Sequence, residues 1–330
     1  MKQIDWGIIG CGDVTEIKSG PAFSKINNSA LVAVMRRDAS KAKDYAQRHQ
    51  VAKWYNDAAA LINDAAVNAI YIATPPSSHK ELTLMALAAG KPVYVEKPMS
   101  VDALSAEEMA SFARQKNVKL SVAHYRREQP KFKKILSFLQ DKVIGDIKLV
   151  QLSYYRRPLT REELAEPKTA WRINAEISGG GLFHDIAPHQ LDLMLYFFGE
   201  ASEVSGKADN KLNSYNVADL VTGKIIFKSG IAFNGIWNFS VSQLAEKDEI
   251  EIIGTKGKII FSAFVSNTIT VITDVGTEVF SFADLQHVQQ PMIQKVVQYF
   301  LDESENPCSG GDGVTVLKWI DAFTKLPGSF

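Results

Sequence analysis

A short apolar run, Asp5 to Ile9, ends directly in Gly10-Cys11-Gly12-Asp13-Val14-Thr15, and no other feature narrows the possible folds as much. A strand that breaks at two glycines and continues into a helical pattern opens a βαβ unit. The glycines permit a tight turn and let phosphates lie against bare backbone. Thr15 stands where the usual fingerprint has its third glycine. A lone G-x-G also fits an ordinary turn, but the strand before it, the helix after it and its place near residue 1 turn the reading toward nucleotide binding. Gly10, Gly12, Asp13 and Val14 are therefore the expected pyrophosphate contacts.

The rhythm continues through residue 122. Strands are expected at Asp5 to Ile9, Leu31 to Met35, Ala69 to Ala73, Pro92 to Val95 and Lys119 to Ala123. Between them lie helical patterns such as Ala39 to His49, Ser77 to Ala89 and Val101 to Lys116, with Gly90 as a helix stop. Alternating β and α segments make an α/β fold with a doubly wound parallel sheet, so residues 1–122 read as a Rossmann-type dinucleotide-binding domain. Residues 123–330 change character. After a basic helix, Lys131 to Gln140, strands come closer together: Lys148 to Tyr155, Val217 to Phe227, Ile231 to Phe239, Glu249 to Ile253, Lys258 to Phe261 and Thr268 to Thr273. With helices at Gly181 to Phe198, Met292 to Ser304 and Gly313 to Lys325, this half reads as an α/β domain with a mostly antiparallel sheet.

Bulk properties exclude several classes of partner. Lys plus Arg and Asp plus Glu both total 37, so no long-range field of one sign draws the chain to nucleic acid or an anionic membrane. Charges interrupt the N-terminal stretch where a signal peptide needs its apolar run, and no stretch of 18 uncharged apolar residues follows, so a cytoplasmic location is expected. Cys11 and Cys308, far apart and without metal-ligand spacing, read as free thiols. Small molecules become the default partners.

The end of the second strand contacts the adenine ribose in such folds, usually through an acidic residue. Here it reads Met35-Arg36-Arg37-Asp38. An arginine in place of the carboxylate offers a forked donor to a 2′-phosphate, which favours NADP over NAD. In a shifted register Asp38 would reach the ribose instead. If Arg37 only lies over the adenine face, or both arginines are a solvated strand end, the pair does not choose between the cofactors.

Ala73-Thr74-Pro75-Pro76-Ser77-Ser78-His79 and Val95-Glu96-Lys97-Pro98 follow the third and fourth strands, at the sheet end where doubly wound folds place ligands. Trp171-Arg172, Ser178-Gly179-Gly180-Gly181 and Asp185-Ile186-Ala187-Pro188-His189-Gln190-Leu191-Asp192 lie further along. Taken together with the glycine turn, these motifs resemble the Gfo/Idh/MocA oxidoreductase family, and residues 7–23 look like its dihydrodiol dehydrogenase and glucose-fructose oxidoreductase branches, which favour the phosphorylated cofactor. The resemblance implies an open-faced sheet in the second domain and a homodimer or homotetramer built through it. It also implies hydride transfer at a secondary carbon of a sugar, cyclitol or cyclic diol, with Lys97 catalytic. Two departures stand out, Ala187-Pro188 before His189 and the chain after Phe323.

Residue chemistry adds roles to these positions. Asp185, His189 and Asp192, at i, i+4 and i+7, share one helix face and would address one bound molecule together. His189 titrates where it can take a hydroxyl proton near neutral pH. Lys97 would bind the reacting oxygen and stabilise developing negative charge. Asp185 would bind a neighbouring hydroxyl or pair with Lys97. Thr74, Pro75, His79, Glu96 and Lys97 join Arg36 and Arg37 as cofactor-binding candidates; Arg126, Trp171, Arg172, Asp185 and His189 are the substrate-binding ones. Arg126, Arg156 and Arg157 add positive charge that would suit an anionic sugar as well as a neutral polyol. Hydride transfer to nicotinamide needs no metal, and none is expected at the Asp185, His189, Asp192 face. The plainer alternative makes Lys97 an exposed strand-end residue, His189 a core histidine and the aspartates a wet helix face. Two other functions stay open: a cofactor-binding sensor or regulator without turnover, and an enzyme using the cofactor transiently for elimination or epimerisation.

Overall fold

The computed structural model describes residues 2–213 and 215–324. In chain order its first elements are β1 (Ile4–Ile9), α1 (Asp13–Ile17), β2 (Ser29–Met35), α2 (Ala39–Arg48), β3 (Lys53–Tyr55), α3 (Ala58–Ile62), β4 (Ala69–Ile72), α4 (His79–Ala88), β5 (Val93–Val95), α5 (Ala103–Lys116) and β6 (Leu120–Val122). There follow α6 (Pro130–Gln140), β7 (Ile147–Tyr155), α7 (Arg161–Ala165), α8 (Pro167–Ala170), α9 (Ala175–Ser178), α10 (Leu182–Phe198), β8 (Ala201–Asp209), β9 (Leu220–Phe227) and β10 (Ala232–Asn238). The last are β11 (Lys247–Gly254), β12 (Gly257–Phe261), β13 (Thr268–Thr273), β14 (Gly276–Ser281), α11 (Gln290–Phe300) and α12 (Gly310–Thr324).

Two compact units result, residues 1–126 with 285–317, and residues 127–284 with 318–330. In the first, six parallel strands run in the order β3-β2-β1-β4-β5-β6. This is the doubly wound Rossmann arrangement, and the strand order reverses between β1 and β4, the switch point where such sheets bind ligands. Both faces of the sheet are covered, so β4 and β5 are buried at every position.

A boundary at residue 122 is too simple, because residues 285–317 pack with the first unit. The reason is aromatic. Phe300 of α11 lies 5.5 Å from Trp6 of β1, whose ring also meets Phe23 at 4.9 Å, and Tyr71 stacks on Tyr94 at 5.2 Å. The apolar face of α11 therefore completes a core that the first 122 residues leave open.

The second unit is an eight-stranded sheet in the order β14-β13-β12-β11-β7-β10-β9-β8, antiparallel except where β7 runs parallel to β10. Val150, Leu152 and Tyr154 of β7 are buried, whereas Gln151 between them is exposed. Helix α10 packs on the buried face. Phe183 meets Trp237 edge-on at 5.1 Å, and the Trp237 indole N–H donates to Gln190 Oε1 at 2.6 Å. Phe132 and Phe138 of α6 pack against Phe261 and Phe280.

Three strands escape the sequence reading: β3, β8 and β14. All are sheet edges, and their polar or exposed residues, as in Lys53-Trp54-Tyr55 and Gly276 to Ser281, lack the apolar signature of inner strands. Pro188 does not interrupt α10, although it cannot donate to the His184 carbonyl one turn earlier. Lys325 and most of the segment after Phe323 lie outside the described residues. Among the described residues, no helix is long and apolar enough to cross a membrane.

Candidate active site

Within the first unit, the expected cofactor residues converge at the sheet's switch point. Gly10 leaves β1 at φ +95°, and a Cβ there would come within 2.9 Å of Thr74 Cγ2, Thr74 N and Ala73 C. Only glycine combines that dihedral with so close an approach to the loop after β4. Gly12 differs: a Cβ built on it meets nothing nearer than Gly10 O at 3.9 Å and the Arg36 guanidinium at 4.0 Å. The space beside this backbone is open and faced by a cation.

Thr15 does part of the missing glycine's work with its hydroxyl. Its Oγ1 accepts from Gly12 N–H at 2.9 Å and lies 2.8 Å from Gly12 O, so the side chain closes the turn into α1. Arg36 is half-buried and donates through Nη1 to Cys11 O at 3.3 Å, which lays the guanidinium along the glycine turn. Arg37 and Asp13 are exposed. The Asp38 carboxylate caps α2, accepting from Ser40 N, Lys41 N and Ser40 Oγ at 3.1, 3.2 and 2.6 Å. The Ser40 hydroxyl, and after it the Lys41 backbone N–H, hold its pKa below the usual carboxylate value.

His79 is fully buried, its Nε2 2.7 Å from Thr74 O and its Nδ1 3.0 Å from Pro98 O. It thereby fastens the loop after β4 to the turn after β5. Burial pushes its pKa below the ordinary imidazole value, and a neutral ring donates to one of the two carbonyls. Its ring is occupied with backbone, so any bearing on a cofactor is through the loops it holds. Ser78 Oγ donates to Thr74 Oγ1 at 2.8 Å, ordering the Thr74-Pro75 segment. Glu96 is buried and Lys97 half-buried, their peptide N–H and carboxylate joined where Lys97 N donates to Glu96 Oε2 at 3.1 Å. The Lys97-Pro98 peptide is cis. Arg126, at the end of this unit's first segment, lies over the Tyr125 ring at 5.4 Å.

In the second unit, the structure brings Trp171, Arg172 and Asp185 together. The Arg172 guanidinium sits 4.7 Å from the Trp171 ring centroid and donates from Nε to Asp185 Oδ2 at 2.9 Å. That ion pair is a partner for Asp185 that the sequence reading did not foresee. Gly181, at φ +93°, presents backbone to Val217, and a Cβ there would stand 2.5 Å from Val217 Cγ2. Ser178 Oγ accepts from Gly181 N–H at 2.8 Å, setting the start of α10. One helical turn after Asp185, His189 is buried with its ring edge-on to Phe264 at 5.5 Å. Phe264 in turn packs on Tyr154 at 5.6 Å, and Asp248 accepts from the N–H groups of residues 263, 264 and 265, anchoring that loop.

Asp192, on the same face of α10, has a partner that its spacing does not foretell. It is 1% exposed and receives Arg127 in a forked contact, Nη2 to Oδ1 at 2.7 Å and Nε to both oxygens at 3.0 Å. Its carboxylate neutralises a buried guanidinium. Among the described residues, no three of His, Cys, Asp and Glu cluster as a metal would require. Arg156 and Arg157 are also paired, with Glu246 at 3.0 Å and Glu163 at 2.8 Å. Two of the three arginines expected to suit an anionic substrate are thus matched by carboxylates.

Similarity to known proteins agrees with this geometry. Residues 4–124 match the family described as oxidoreductase family, NAD-binding Rossmann fold, and residues 132–260 match the GFO/IDH/MocA C-terminal domain. Oxidoreductase P35 of Formosa agariphila is 46% identical over 97% of this chain and 98% of its own length. The trans-1,2-dihydrobenzene-1,2-diol dehydrogenase of Bos taurus is 30% identical over 76% of this chain and 72% of its own. Among solved structures, a levoglucosan dehydrogenase in complex with NADH and levoglucosan superposes with a TM-score of 0.87 at 20% identity, covering 97% of this chain and 96% of that one.

Proposed function

The chain belongs to the Gfo/Idh/MocA family of NAD(P)-binding oxidoreductases, and we propose that it uses NADP(H) to interconvert a secondary alcohol and a carbonyl on a neutral sugar, cyclitol or cyclic diol. The observation that carries the cofactor choice is the end of β2. Arg36 lies along the open glycine turn while the Asp38 carboxylate is engaged in the α2 cap. A guanidinium there complements a 2′-phosphate.

Gly10, Gly12, Asp13, Val14 and Arg36 would hold the dinucleotide, with Arg37, Thr74, Pro75, Glu96 and Lys97 completing the cradle and His79 fastening its loops. When bound, the dinucleotide supplies hydride exchange. The protein's own groups handle the proton and the geometry. In this reading Lys97 binds the reacting oxygen and stabilises its negative charge. His189 takes the hydroxyl proton and returns it in the reverse direction. Asp185, tied to Arg172, accepts from a neighbouring hydroxyl, while Trp171 and Arg126 contribute to holding the substrate. A neutral substrate is the reading favoured by charge matching, since Arg127, Arg156, Arg157 and Arg172 each face a carboxylate.

The exposed face of the second unit's sheet, with Gln151, Lys224, Asn234 and the 39% exposed Ile236, supports assembly into a homodimer or homotetramer through that surface. A cytoplasmic location fits the buried Cys11 and Cys308, which form no disulfide with each other.

Fluorescence titration with NADP and NAD, followed by a panel of neutral polyols and their carboxylate analogues monitored at the reduced-nicotinamide absorbance, tests the proposal. Tighter binding of NADP with turnover of neutral polyols is expected. Preference for NAD, or faster turnover of the carboxylates, would overturn the corresponding half.

A further inference from the structure

Behind the turn that carries Lys97 lies a buried polar cluster for which the chemistry above has no use. Glu96 Oε1 accepts from Tyr71 OH at 2.5 Å and from Gln289 Nε2 at 2.6 Å, and Oε2 accepts from Lys97 N–H. Gln289 is 1% exposed, and its own oxygen accepts from Tyr94 OH at 3.4 Å. Its backbone N–H donates to Lys18 O at 3.2 Å, just past the end of α1. Two residues earlier, the His287 ring contacts Ile17 O at 2.6 Å and Lys25 Nζ at 2.7 Å. One short stretch of chain therefore grips the end of the helix that follows the glycine turn and, through one amide side chain, the carboxylate next to Lys97.

We propose that Gln289 is a positioning residue for Lys97, holding Glu96 in the one rotation that lets it receive the Lys97 peptide N–H. The inference rests on the catalytic reading of Lys97. A carboxylate with three donors spread over both oxygens cannot turn without losing one of them. Removing the amide leaves Oε1 with Tyr71 alone and frees Glu96 to rotate away from Lys97 N. A displacement of about 1 Å at the ammonium is enough to lower turnover by up to about a hundredfold. Glutamine suits the task because its amide donates without adding charge beside the buried Glu96.

The test uses the full chain. Gln289→Met removes the donor at nearly constant volume, and kcat is expected to fall about tenfold, or about 1.4 kcal/mol in the barrier, with the NADP Kd from fluorescence quenching changed less than about threefold. Gln286→Ala, on the exposed side of the same stretch, should keep wild-type kcat. Gln289→Glu places a second carboxyl against Glu96, and the two remake the contact only by sharing a proton. Its kcat relative to wild type should therefore rise as the pH is lowered from about 8 to about 6, and the thermal midpoint of the cofactor-free protein should recover in parallel. Lys97→Met separates the two ideas. If it stays active, the reading of Lys97 has failed. If it is inactive while Gln289→Met turns over normally, only the role of Gln289 has. A flat pH ratio for Gln289→Glu, a drop in NADP affinity as large as the drop in kcat, or loss of folded protein with both substitutions would make Gln289 a structural brace and overturn the inference.

Discussion

Replacing Arg36 by aspartate should reverse the cofactor preference, and the size of the change can be worked from the site. Arg36 spends only one long hydrogen bond, 3.3 Å to Cys11 O, on the fold, so its loss should lower stability by about 1 kcal/mol or less. Its other guanidinium nitrogens are the ones available to a 2′-phosphate. A charge-assisted hydrogen bond is worth about 1.5–3 kcal/mol, so losing it should weaken NADP binding by roughly 10- to 150-fold. The new carboxylate would repel the phosphate and accept from the ribose hydroxyls of NAD, adding about 1 kcal/mol in the opposite sense. The Kd ratio of NADP to NAD should thus rise by at least about fiftyfold, read by fluorescence titration of both cofactors at one fixed ionic strength, since the phosphate contact is screened by salt. Asp38→Asn supplies the control, because the structure makes Asp38 a helix cap. It should lower the unfolding free energy by about 1 kcal/mol and leave the ratio unchanged. A shift of less than about threefold in Arg36→Asp, or a large one in Asp38→Asn, would refute the reasoning.

Other substitutions test the frame around the site. Arg127→Met strands the buried Asp192 carboxylate and should destabilise the protein by about 3–5 kcal/mol in denaturant unfolding, with Arg127→Met/Asp192→Leu recovering most of it; a double variant no better than the single would contradict this account. Gly10→Ala demands a left-handed backbone from alanine and pushes a Cβ into Thr74, so a loss of about 2–3 kcal/mol together with weakened NADP binding is expected from calorimetry and titration. Glu16, half-buried beneath Arg48 and His49, is held down to about 2, first by the Arg48 hydrogen bond. A depressed carboxyl adds stability that is present above its unfolded value near 4.5 and disappears as pH falls toward 2. Acid titration of stability should be shallower over that window in Glu16→Gln than in wild type.

The two-unit plan was legible because inner strands announce themselves. β1, β2, β4, β5 and β6 are short apolar runs between helical patterns, and glycines at 10 and 12 mark the turn regardless of what packs around it. The lysine, aspartate and histidine of the candidate site were equally visible, since they sit inside contiguous motifs whose spacing is local. What stayed hidden was set at long range. Edge strands β3, β8 and β14 have little apolar face to show. The identity of Asp192 as the counter-charge of Arg127, 65 positions away, follows from no periodicity, nor does the choice of Arg172 as a partner for Asp185. Gln289 lies 193 positions from the glutamate it orients.

The sequence alone settles that a parallel, nucleotide-binding sheet comes first and that a largely antiparallel one follows. Those properties depend on residue type and short spacing, which the chain carries before it folds. Only the tertiary structure decides which charges cancel one another, which carboxylate caps a helix, and why residues 285–317 return to the first core. A buried charge needs a partner and an apolar face needs a cover, and neither requirement specifies where along the chain its answer lies.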